Sequence, residues 1–134
     1  MTSFESEKLM IKNQPEVIYN FLADFNNFHS LLPEQVINWK STTDTCSFTI
    51  KGMTDLAMCF EQKIPSSKLV MIPDGKTPMV YKLIMKLNTV SPHECEAQII
   101  FEAELNAMMS MMASKPLKNF VNILVTKLKE KFEQ

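Results

Sequence analysis

Side chains able to do chemistry near neutral pH are scarce in this chain. His29 and His93 are its two histidines, and Cys46, Cys59 and Cys95 its three cysteines. His29 follows Phe25 and Phe28 at a helical offset, beside an apolar face, where an imidazole could carry a proton. No nucleophile or orienting carboxylate is recognisable near it, so a boundary position is the expected one. Asp24 and Asp55 read as cap and turn residues rather than as a catalytic pair. The serines form no G-x-S-x-G elbow. With only Gly52 and Gly75 available, neither a G-x-G-x-x-G nor a Walker loop can be written. The thiols are odd in number and widely spaced without a C-x-x-C pair, which points to free, buried cysteines rather than disulfides or a metal site. No metal and no cofactor is expected.

Binding groups are better represented than reactive ones. Trp39 and Tyr81 each join an apolar ring to a polar handle that can meet a ligand or satisfy a buried partner. Tyr81 lies on a strand face that is otherwise apolar. Of eleven methionines, four fall together at Met108, Met109, Met111 and Met112. Such flexible, polarisable side chains suit an adaptable binding surface, and equally suit undemanding packing.

Composition narrows the classes. All fourteen basic residues are lysines and the formal net charge is −1. Without arginine, the fork that reads phosphate and guanine is missing, and Lys127, Lys129 and Lys131 are the one basic cluster. Those three suit the end of a helix, where cations oppose the dipole. Nucleic acid is therefore not the expected partner. No apolar run approaches the ~18 residues of a membrane span. The first twelve residues lack the basic and apolar regions of a signal peptide, so a cytoplasmic location is expected. A length of 134 residues fits one domain over residues 1–134.

The elements that must position these groups follow from periodicity. A first strand is expected over 4–12. Asn13, Pro15 and Glu16 have the spacing of a capped helix start, and Val17, Ile18, Phe21, Leu22 and Phe25 continue it at helical steps. The Asn26-Asn27 pair is expected to re-cap a second short helix that Pro33 ends. Period-two patterns then predict strands over 36–41, 46–51, 56–64, 68–72, 79–88 and 94–105, with a loop holding Pro73, Asp74, Gly75 and Pro78 after the fourth of them. In the last two, Met79, Tyr81, Leu83, Met85 and Leu87, then Cys95, Ala97, Ile99, Phe101, Ala103 and Leu105, form apolar faces. Lys and Glu rows occupy the opposite faces, as in a sheet with one wet side, and suit cross-strand charge contacts. Residues 106–132 read as a helix whose stripe is Leu117, Phe120, Val121, Leu124, Leu128 and Phe132, with a turn or two before Pro116. The expected class is α+β: a curved antiparallel sheet of about seven strands, two short helices after the first strand, and a long C-terminal helix covering the sheet.

This order, with residues 4–7, 11–13, 15–22 and 24–28, then Leu32-Pro33, Trp39 and Pro116-Leu117, resembles the helix-grip fold of the START-like (SRPBCC) superfamily. That group includes birch-pollen-allergen-like proteins, polyketide cyclases, coenzyme Q-binding proteins and lipid-transfer domains. The glycine-rich loop of its plant branch has no counterpart here. The resemblance implies a cavity between sheet and final helix for a hydrophobic small molecule such as a lipid, an isoprenoid or a polyketide-like compound. The residues expected to line it are Phe25, Phe28, Trp39, Phe48, Met58, Phe60, Tyr81, Met85, Met108, Met112 and Phe120. Two alternatives stay open: a cyclase- or hydratase-type enzyme using Tyr81 or His29 as acid or base, and a protein-interaction module whose core is filled.

Overall fold

Period-two alternation places each strand's apolar residues on one side, and eight strands combine to bury that side. The computed structural model describes residues 1–75 and 79–133, so Pro78 of the expected loop lies outside the described residues. The strands are β1 (Thr2–Glu5), β2 (Leu9–Ile11), β3 (Val36–Ser41), β4 (Thr45–Ile50), β5 (Thr54–Ile64), β6 (Lys68–Pro73), β7 (Tyr81–Ser91) and β8 (Glu94–Ala103). All pair antiparallel in the order β1-β8-β7-β6-β5-β4-β3, with β2 also on β8. Helix α1 (Pro15–Leu22) and a 3-10 helix (Phe25–Leu31) precede β3, and α2 (Ala107–Phe132) closes the chain. The α+β helix-grip architecture expected from the sequence is the one observed.

The count of eight strands, rather than about seven, has a local cause. The expected first strand is broken at residues 6–8, and the register on β8 shifts by one residue between Glu5↔Ile100 and Leu9↔Ala97. The extra residue lets both Phe4 and Ile11, which have opposite parity, point into the core. Ser6 fills the gap in the ladder. Its N–H donates to the Ile99 carbonyl at 2.8 Å, and its Oγ accepts the Ile99 N–H at 2.9 Å. A hydroxyl thus replaces a backbone acceptor in a buried place.

Helix starts differ in detail from expectation. Gln14, not Asn13, is the N-cap of α1, because the Asn13 carboxamide folds back to accept the Gln14 N–H at 2.7 Å. Asp24, read from the sequence as a cap residue, does cap the 3-10 helix by accepting the Asn26 N–H at 2.9 Å, and the asparagine pair does not. Asn27 instead donates to the Phe21 carbonyl. Asp55 sits within β5 rather than in a turn, and accepts a 2.6 Å hydrogen bond from the Thr49 hydroxyl on β4.

Helix α2 covers the sheet with Ala113, Leu117, Phe120, Val121, Leu124, Val125 and Leu128 buried. Burial of each large side chain is worth about 1.5–3 kcal/mol, so this stripe is the main attachment. Lysines on its flanks extend the grip: Lys118 donates to the Glu5 carbonyl, Lys127 to Leu32 at 3.0 Å and Lys129 to Met10 at 2.6 Å. The expected cross-strand charge contacts are modest. Lys82 stands opposite Glu102 in register, yet its ammonium lies 3.4 Å from Glu61 of β5. Among the described residues no helix is long and apolar enough to cross a membrane.

Candidate functional site

Nine of the eleven expected lining residues come together, and they meet each other. Phe25, Phe28, Phe48, Met58, Tyr81, Met85 and Phe120 are buried in the core, with Trp39 and Phe60 partly buried against it. Their rings form a continuous series: Phe60 on Phe25 at 4.3 Å, Phe25 on Phe28 at 5.2 Å, Phe28 on Trp39 at 6.2 Å, Trp39 on Phe48 at 5.4 Å, and Phe48 on Phe120 at 6.1 Å. Offset and tilted contacts at these separations are favourable packing. The series links the 3-10 helix, β3, β4, β5 and α2 into one core.

Met108 and Met112, the other two, lie elsewhere, 68% and 72% exposed on the first turns of α2. There the sheet and helix part. A pocket of about 200 Å³ opens between the β4–β5 turn, the approach to β7, the end of β8 and the start of α2. Among the described residues, Gly52, Met53, Thr54, Met79, Leu105, Met109, Met112 and Ala113 form its wall, and Thr54 is the one polar side chain of these. Gly52, at φ +80°, makes the tight turn that brings Met53 and Thr54 to the rim. Asn106 fixes the facing helix start by accepting the Met109 N–H at 2.8 Å. Sequence reasoning named Met112 as lining and Met109 among the four clustered methionines, and passed over the remaining wall residues. Met79 and Leu105 carried a usable signal, because they end the apolar faces of their strand patterns and therefore lie at the edge of the enclosed space.

The groups considered for acid–base chemistry are placed apart from this pocket. The Tyr81 hydroxyl donates to the Ala57 carbonyl at 2.7 Å, and burial pushes its phenol above the ordinary range. It is held neutral and already partnered. His29 and His93 are exposed, on the 3-10 helix and in the β7–β8 turn. Burial pushes the Cys46 thiol up to about 12, against a backbone hydrogen bond from Met58 that lowers it. Cys46 and Cys95 are buried and all three cysteines are free, as expected. No group of three or more potential metal ligands occurs among the described residues. A larger groove of about 650 Å³ runs over β3–β5 on the outer face, where Asn38, Lys40, Thr49, Asp55 and Asp74 give it a charged, open wall. Its size reflects exposure to solvent, whereas the smaller pocket has the apolar lining of a ligand site.

No protein-family model and no curated protein sequence matches the chain. Solved structures do match over nearly its full length. A START superfamily protein from Mycobacterium smegmatis aligns with a TM-score of 0.69 at 11% identity, covering 98% of this chain and 97% of that one. The KanY protein aligns at 0.79 with 8% identity, covering 99% and 98%. Aha1 from Colwellia psychrerythraea, solved as a dimer, aligns at 0.65 with 18% identity, covering 99% and 97%. At these identities the likeness concerns backbone architecture, and it agrees with the sheet order and closing helix described above. The chain has the START-like helix-grip fold.

Proposed function

We propose that this protein binds a hydrophobic or amphipathic small molecule, a lipid, isoprenoid or polyketide-like compound, through the methionine-walled pocket between sheet and α2. The observation that carries this reading is the pocket wall: among the described residues, apolar side chains with a single hydroxyl, at the point where the START-like sheet and helix separate. An apolar chain placed there would gain burial, and Thr54 would orient one polar atom of it. At about 200 Å³ the space is below the ~300–1,000 Å³ of most ligand sites. A ligand therefore seats one end in the pocket, or the first turns of α2 yield to admit more of it. Pro116 helps the second course, since it withholds the N–H that the Met112 carbonyl would accept in an unbroken helix. Among the described residues of the wall, the Thr54 hydroxyl stands without an acid or base to activate it, so binding accounts for the wall better than catalysis does.

Native mass spectrometry and organic extraction of the purified protein test the reading directly, followed by titration with a fluorescent fatty-acid analogue. Ala113→Leu adds three carbons to the pocket wall. Ala113 is 6% exposed, so the expected result is probe binding by the parent and at least ~10-fold weaker binding by this variant. Its loss of stability should stay below the about 1–3 kcal/mol of overpacking, because the added carbons enter the pocket. A parent that binds no apolar probe overturns the proposal.

The stacked interior favours a second reading, an interaction module with a filled core. Under it, no probe binds and Ala113→Leu lowers the melt, by the about 1–3 kcal/mol of overpacking a filled site.

A further inference from the structure

Residues 105–114, where β8 passes into α2, carry no charged side chain. Met109 and Met112 wall the pocket, but Met108 and Met111 do not. Those two are 68% and 82% exposed. Around the helix, at 3.6 residues per turn, the order is Ala113, Met109, Met112, Met108, Met111, an apolar arc of roughly 200°. The arc runs unbroken from the buried Ala113, through the pocket wall, to side chains standing in water. Apolar surface concentrated in this way marks a contact site.

We infer that this helix tip seats on a lipid surface bearing anionic headgroups, with Met108 and Met111 entering the acyl boundary. Three observations select that partner. The tip presents four methionines, against the roughly 20–30 residues a side of a standard protein interface, so it is small for a second protein and sufficient for shallow insertion. Exposed lysines flank it: Lys115 lies one turn beyond Met111 and Met112, and Lys51 precedes Gly52 on the opposite rim. These cations complement acidic headgroups while their stems lie along apolar surface. Among the described residues two exposed acids adjoin it, Glu104 at the start of the run and Asp55 after Thr54 on the opposite rim, the latter accepting a hydrogen bond from the Thr49 hydroxyl. Finally, the arc is continuous with the pocket, so a molecule leaving the lipid passes over methionine the whole way. This last point rests on the ligand reading above; the docking itself does not.

The test is flotation with phosphatidylcholine–phosphatidylserine vesicles, run beside titration with the soluble fatty-acid analogue. Met111 is so exposed that Met111→Asp and Met111→Trp should both fold as the parent does. The parent is expected to float with vesicles, and Met111→Asp to bind them at least ~10-fold more weakly. Met111→Trp should show a blue-shifted emission on vesicle addition, after subtraction of the Trp39 signal. The soluble-probe arm judges the pocket separately: retained binding by Met111→Asp keeps the ligand reading whatever the vesicles show. The inference is overturned if Met111→Asp floats like the parent, or if an indole at position 111 keeps its water-exposed emission. It is also overturned if the parent is a stable dimer in solution that Met111→Asp dissociates, since a second copy then covers the tip.

Discussion

Replacing methionine by tryptophan at two positions separates a filled interior from an open rim. Met85 is 1% exposed on β7, paired in register with Leu69 on one side and Ile99 on the other, both equally buried. An indole there must displace close-packed neighbours, and overpacking of this kind costs about 1–3 kcal/mol. For a chain of this size each kcal/mol lowers the melting temperature by roughly 3–5 °C, so Met85→Trp should melt about 3–15 °C below the parent. Met112, 72% exposed at the pocket rim, has no such neighbours on its outer side. Met112→Trp should stay within ~0.5 kcal/mol of the parent, while its larger ring narrows the pocket and weakens binding of a fluorescent fatty-acid analogue. Thermal melts and probe titrations on the three proteins give a two-by-two outcome. If Met85→Trp melts with the parent and alone loses probe binding, the interior holds the ligand space and the rim assignment is wrong. Destabilisation by Met112→Trp would show instead that the helix start is packed against something that the fold as described does not include.

Three further outcomes follow from the packing. Ser6→Ala strands the buried Ile99 N–H, so urea unfolding followed by Trp39 fluorescence should show a loss of about 1–3 kcal/mol, with faster hydrogen exchange at that amide. The same change at the exposed Ser3 should be near neutral. Burial raises the Cys46 thiol from an ordinary value of 9.0 to about 12, so the folded state keeps a proton that the unfolded state releases. Its contribution is complete below pH ~9 and lost between there and ~12, at up to about 1.4 kcal/mol per pH unit; Cys46→Ala should flatten the alkaline limb of a stability–pH curve. Removing residues from Pro116 onward deletes every buried α2 side chain except Ala113, more than a typical total stability of about 5–15 kcal/mol, so circular dichroism should show no cooperative melt.

Much of this architecture was already present in local pattern. Alternation alone assigned Tyr81, Leu83, Met85 and Leu87 of β7, and Cys95 to Ala103 of β8, to the buried face, because a pleated strand turns every second side chain the same way. Helical spacing likewise marked Leu117, Phe120, Val121, Leu124 and Leu128 as the covering stripe. Other features depend on groups distant in sequence. The break at Ser6 is decided by Ile99, whose N–H donates to that hydroxyl, and the parity change from Phe4 to Ile11 was its only local trace. Asn13 lost the cap to Gln14 through one hydrogen bond whose geometry composition does not encode. Whether inward-facing residues enclose a space or fill it was likewise beyond the sequence. Alternation states which way a side chain points; how far the opposing ring lies is set by the curvature of the sheet and the seating of α2. The tertiary structure brings Phe25, Phe28, Trp39, Phe48 and Phe120 into stacking contact and leaves the opening at Met79, Leu105 and Met109, because there the strands end while the helix continues past them.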